Sequence, residues 1–149
     1  MANGDAERLR QLVQTFVRRF GLLLGDQTPC GQPISVSHAH ALMLLAASNG
    51  ALSQSDLGQG LGVDKSNVAR VCARMEKLGH ARQTRAPDDG RSRLVKLTPA
   101  GRKLAASVQR SSRERFEKLL ARIPKQKRKR VLEGLAALDE ALSNPGSSS

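Results

Sequence analysis

The sequence predicts a mainly α protein with one small β-hairpin. Three observations predict it. Apolar residues recur at helical spacing over most of the chain. Two short helical stretches follow one another across a turn at Gly62. Residues 80–85 and 93–97 then flank a charged, turn-rich run that contains Pro87, Asp88, Asp89 and Gly90, the outline of a hairpin.

The elements follow in order. A first helix is expected over residues 5–24, where Leu9, Val13, Phe16, Phe20 and Leu23 recur at steps of four and three and Leu12, Val17 and Leu24 widen the stripe. An apolar seam on a terminal helix needs a cover, which a second chain can supply. Pro29, Gly31 and Pro33 make residues 25–35 a loop. Ser37 is the expected cap of a second helix that stops at Asn49-Gly50. Residues 41–47 are apolar all round, which marks that helix as central and buried. Ser53-Gln54-Ser55-Asp56 opens a third helix as a capping box with Asp for the usual Glu or Gln, turning Leu57 and Leu61 inward. Asp64 caps a fourth, from Lys65 to about Leu78, with Val68, Val71, Cys72, Met75 and Leu78 on one stripe. After the hairpin, Thr98-Pro99 provides an N-cap and a first helical residue whose missing N–H costs nothing. Leu104, Val108, Phe116, Leu119 and Leu120 carry that helix to about Arg122. A last helix starts near Pro124, with Val131, Leu135, Leu138 and Leu142 along one face, and residues 146–149 read as a frayed tail.

Composition narrows the function. The chain has 149 residues, the size of one ordinary domain, and 39% hydrophobic residues, enough for a modest core. No apolar run approaches the roughly 20 residues a membrane span needs, and the polar N-terminus lacks a signal-peptide apolar region. A cytoplasmic protein with two reduced thiols is therefore expected. Three scattered His, no paired-carboxylate or nucleophile motif and no phosphate-cradling Gly loop argue against an enzyme or a cofactor. Three Phe with no Trp or Tyr argue against stacking on single strands. The formal charge of +12 instead suits a phosphate backbone. It is unevenly spread: net +1 over residues 1–50, +6 over 51–104 and +5 over 105–149.

The run from Arg85 through Asp89 and Arg91, followed by Leu94-Val95-Lys96-Leu97-Thr98-Pro99-Ala100-Gly101, resembles the wing of the MarR-type (multiple-antibiotic-resistance regulator) family. There an Asp-x-Arg element leads into a Leu-Thr-x-x-Gly helix start. The stretch from Leu57 through Leu61-Gly62-Val63-Asp64, Val68 and Met75-Glu76-Lys77-Leu78-Gly79 is similar to the same family's helix-turn-helix. The resemblance covers residues 5–142, and His80 departs from it where the family more often has an apolar residue. It implies a winged helix-turn-helix over residues 36–104 and a helical dimerisation region made from 1–35 and 105–145. It also implies a homodimer, formed through the first and last two helices, on a pseudo-palindromic double-stranded operator. The implied role is a repressor released by a small effector.

With Val68, Val71, Cys72 and Met75 inward, Ser66, Asn67, Arg70, Arg74 and Lys77 occupy the opposite face of the recognition helix. Asn67 can pair two-pronged with adenine and Arg70 with guanine, while Lys65, Ser66 and Ser55 suit phosphates. The resemblance puts Arg91 in the minor groove, with Asp89 bracing it and Arg82, Arg85 and Arg93 on the backbone. The plainer alternative is a solvated helix face that touches nothing. The basic run Lys125, Lys127, Arg128, Lys129 and Arg130 reads as a solvated cluster rather than a second clamp. Cys30, expected to be exposed, and His38 and His40 are the effector or sensing candidates, whereas Cys72 is packing. Residues two apart point to opposite sides of a helix, so His38 and His40 do not chelate one metal together, and no metal site is expected. The competing functions are a sequence-blind architectural DNA binder, a metal- or thiol-sensing regulator, and a helical dimerisation module that acts on another protein.

Overall fold

The structure is a computed structural model that describes residues 2–85 and 93–144. Asp89, Arg91 and the tail 146–149 lie outside the described residues. Among the described residues six helices and three strands follow in the order α1 (Ala2–Phe20), α2 (Val36–Ala47), β1 (Ala51–Ser53), α3 (Gln54–Leu61), α4 (Lys65–Lys77), β2 (Ala81–Arg85), β3 (Arg93–Leu97), α5 (Pro99–Ala121) and α6 (Lys125–Ser143). The expected mainly helical fold with its hairpin is present. Among the described residues no helix is long and apolar enough to cross a membrane.

The chain divides into two compact units, Met1–Ser112 and Arg113–Ser149. In the first, α2 is the central helix. Ala41, Leu42 and Leu45 are fully buried with Leu57 of α3, Cys72 and Met75 of α4 and Val95 of β3. Leu104, Ala105 and Val108 of α5 complete this core. The sheet is antiparallel in the order β1-β3-β2, with Leu52 opposite Val95 and Gln83 opposite Val95 on its other side.

Three boundaries and one added strand differ from expectation. The first helix stops at Phe20 because Gly21 takes a left-handed φ of 94°. There the Gly21 N–H donates to the Arg18 carbonyl and the Leu22 N–H to the Val17 carbonyl. Leu23 and Leu24 therefore leave the helical seam. The cap of α2 is Ser35, not Ser37: an N-cap hydroxyl accepts from the amide three residues on, and Ser35 receives the His38 N–H at 3.1 Å. The second strand starts at Ala81, since His80 closes the end of α4 by donating its N–H to the Met75 carbonyl at 2.8 Å. Strand β1 had no signal in its three residues; pairing with β3 makes it a strand. The expected caps Ser53 and Asp64 hold, accepting from the amides of Asp56 and Asn67.

Apolar residues remain uncovered on the terminal helices. Leu9, Leu12 and Phe16 of α1 are about half exposed, at 49, 51 and 47%. In the second unit α6 buries no residue, and Val131, Leu132, Leu135 and Leu142 are exposed.

Candidate nucleic-acid interface

The α3–turn–α4 pair is held by its caps. The Ser53 hydroxyl accepts from the Asp56 amide at 3.0 Å, and Gly62 turns the chain with φ 68°. Asp64 Oδ1 then accepts from the Asn67 amide at 2.8 Å and from the Ser66 hydroxyl at 3.0 Å. These bonds, the Asn67 amide first, hold the Asp64 carboxyl below its ordinary range. Its negative charge sits at the positive end of the α4 dipole.

Helical periodicity then sorts α4 into two faces. Val68, Cys72 and Met75 are buried and Val71 is half-buried. Lys65, Ser66, Asn67, Arg70, Arg74 and Lys77 are all exposed. Among the described residues no hydrogen bond or salt bridge occupies the side chains of Lys65, Asn67, Arg70, Arg74 or Lys77. Ser55 is exposed on the first turn of α3. The sequence-based assignment of an outward polar face therefore holds, with the Ser66 hydroxyl already committed to Asp64.

The hairpin adds a ladder of like charges. Arg82 lies opposite Lys96, and Arg85 opposite Arg93, all four exposed. Side chains alternate along a strand, so the two pairs point to opposite faces. Facing like charges repel one another and favour an anion between or beside them. Arg82, Thr84, Lys96 and Thr98 line a groove of about 330 Å³ with Leu97 and Pro99.

Three polar residues that the sequence reading passed over fix the hairpin to the helix pair. Glu76 Oε2 accepts from the Gln83 amide at 2.8 Å, tying α4 to β2. The Gln54 side-chain amide donates to Gln83 Oε1 at 2.6 Å, tying α3 to the same strand. No sequence motif announces these bonds, because they join residues up to 29 positions apart.

The sensing candidates do not converge. His38 is buried at 2% exposure, whereas His40 is exposed on the other side of α2, as their spacing predicts. His38 Nε2 lies 3.0 Å from His80 Nδ1, with the rings edge to face. Cys30 is half-buried rather than exposed, because the 25–35 loop folds over Thr28, whose hydroxyl is 3.1 Å from the Cys30 sulfur. Burial, and secondarily Glu76, pushes the Cys72 thiol up to about 11, which suits its packing role. Among the described residues no three His, Cys, Asp or Glu side chains gather as metal ligands do.

A family model described as MarR family matches residues 32–92, which take in α2, the α3–α4 pair and β2. The HTH-type transcriptional regulator YdgJ of Bacillus subtilis (strain 168) is 30% identical over 111 residues, 74% of this chain and 67% of the relative. The chain belongs to the MarR family. Members and relatives of this kind are DNA-binding transcriptional regulators, not enzymes. The Streptococcus pneumoniae FabT structure in complex with DNA has a TM-score of 0.71 at 19% identity, over 98% of this chain and 100% of FabT. Bordetella bronchiseptica BpsR, whose DNA binding is regulated by 6-hydroxynicotinic acid, has a TM-score of 0.67 at 20% identity, over 91% of this chain and 98% of BpsR. At these identities the two structures establish a shared fold.

Proposed function

We propose that this MarR-family chain is a sequence-selective repressor that binds a pseudo-palindromic double-stranded operator as a homodimer. The observation that carries the reading is the exposed α4 face of Lys65, Ser66, Asn67, Arg70, Arg74 and Lys77 beside the cationic β2–β3 ladder. In this reading α4 enters the major groove, where Asn67 and Arg70 read bases while Lys65, Ser66 and Ser55 meet phosphates. Arg82, Arg85 and Arg93 bind the flanking backbone, and Arg91, braced by Asp89, reaches the minor groove. Residues 36–104 form the DNA-binding region. Residues 1–35 and 105–145 form the dimerisation region, a role supported by the uncovered Leu9, Leu12 and Phe16 of α1 and Leu132 and Leu135 of α6.

Release by a small ligand accompanies this reading, since BpsR is so regulated. Cys30, His38 and His40 are the residues to probe for an effector or sensing role.

The decisive experiment is equilibrium binding to the duplex upstream of the protein's own gene, beside random duplex, at about 150 mM salt. The expected result is selective binding to half-sites about one helical turn apart, by a chain that sediments as a dimer. Equal affinity for random duplex overturns the repressor reading in favour of an architectural DNA binder.

A further inference from the structure

His80 occupies a junction. Its N–H donates to the Met75 carbonyl at the end of α4, and its carbonyl accepts from the Thr98 amide at 3.1 Å. The Thr98 hydroxyl donates to the Gly79 carbonyl at 2.6 Å, so the start of α5 closes over the same turn. One residue later β2 begins. The backbone of His80 thus joins the recognition helix, the wing and α5, and its ring points to a fourth element, meeting His38 of α2 at 3.0 Å. His38 is itself anchored, through its amide, to the Ser35 cap.

We propose that His38 and His80 form an imidazole latch that positions the root of the wing for DNA binding and that acid opens. One ring nitrogen donates and the other accepts, so the contact survives with both rings neutral or with one proton added. With both rings protonated, each facing nitrogen carries a hydrogen and the bond is lost. The charged side chains on the stretches of these elements that meet at the junction include Arg74 and Glu76 late in α4, Arg82 early in β2, Lys96 late in β3 and Arg102 in the first turn of α5. Arg74 opposes a proton on His38. Glu76 is the only acid on α2, α4, β2 and β3, and it is committed to the Gln83 amide. Arg102 lies against Gly50. Among the described residues the charged groups that act on the two rings are His80 and Arg74, with no carboxylate to stabilise an imidazolium. His38 is held down to about 4 by burial first, then by His80 and Arg74, and burial lowers His80 as well. Local opening that frees His38 lets it take up a proton, so opening becomes about tenfold easier per pH unit from about 6.5 toward 4, and the lowered His80 acts in the same direction.

The latch rests on the DNA-binding reading only for its consequence, and one experiment separates the two. Amide exchange at His80 and Thr98, corrected for intrinsic rates, is followed from pH 7.5 to 5 in the full chain and in the double variant His38→Gln/His80→Gln. Affinity for the duplex used above is followed over the same range, each protein normalised to its own value at pH 7.5. The expected result is about tenfold more protection lost per pH unit below 6.5 in the wild type, with a steeper loss of affinity than in the variant. Superimposed exchange profiles overturn the latch. A difference in exchange without a difference in affinity overturns its positioning role. If neither protein binds duplex at any pH, the DNA-binding reading fails while the exchange arm still decides the latch. Should the double variant not fold, the ring-nitrogen shifts of the wild type decide. Titration of both rings as in the urea-unfolded chain overturns the proposal, and titration displaced to lower pH supports it.

Discussion

At the scale of single residues, the tightest constraint is Gly101. A Cβ added there collides with the His80 carbonyl oxygen and lies 2.9 and 3.2 Å from its carbonyl carbon and α-carbon, all of them backbone atoms with no rotamer to yield. That contact gives the glycine of the Leu-Thr-x-x-Gly start a physical reason: the first turn of α5 packs directly on the turn before the wing. Gly101→Ala is expected to destabilise the fold by about 2–4 kcal/mol, the range of severe local mechanisms, read as a lowered denaturation midpoint. His38 supports a second expectation. Its folded value, about 4, lies below the ordinary 6.5. Between those values the unfolded chain binds a proton that the folded chain refuses. Stability conferred by the neutral ring is therefore complete above about pH 6.5 and falls as pH drops toward 4. Urea titrations at pH 7.5, 6 and 5 should show this decline, and His38→Gln should reduce it.

At the scale of elements, caps and periodicity were legible and long-range bonds were not. Ser53, Asp64 and Thr98 announce their helices locally, because a short hydroxyl or carboxylate side chain serves the amide three residues on. Ser37, the cap expected from sequence, and Ser35, the cap in the structure, carry the same hydroxyl, and packing separates them: starting at Val36 puts Ile34 and Ala39 in the core on either side of the cap. Ser35→Ala should cost about 1 kcal/mol while Ser37→Ala, exposed within the first turn, should be near neutral in the same denaturation assay. The candidate interface was equally visible on α4, since one stripe of Val68, Cys72 and Met75 fixes the opposite face. Hidden were the Gln54–Gln83–Glu76 bonds and the His38–His80 contact, which tertiary structure alone brings together. On the α4 face, Asn67→Ala or Arg70→Ala should relax base preference by about 1–3 kcal/mol at the positions read. Arg91→Ala should weaken binding without moving that preference, and binding by base-substituted duplexes distinguishes the two effects.

At the scale of the molecule, the charge of +12 overstates the surface that meets DNA. Half of it falls in residues 51–104, where α4 and the β2–β3 ladder give the cations defined places. A further +5 lies beyond residue 104, much of it in the run from Lys125 to Arg130. That run is already partly spent within its own unit. The Arg128 guanidinium donates through Nε to the Ile123 carbonyl at 2.9 Å, and Lys129 faces Glu133 at 3.9 Å. Lys125 and Lys127, in the first turn of α6, also oppose the helix dipole and are exposed, so solvent rather than the fold accommodates them. Counterion release separates the two populations, because the logarithm of affinity falls with the logarithm of salt by about 0.9 for each phosphate neutralised. Arg85→Gln or Arg93→Gln should lower that slope by about 1 each. Lys125→Gln/Lys127→Gln/Arg130→Gln removes three charges from the same net total, yet should leave the slope unchanged. A slope that instead tracked net charge, falling by about 3 in the triple variant, would show a polyelectrolyte coat rather than a bounded winged interface. The salt dependence thus measures which part of the +12 belongs to the site.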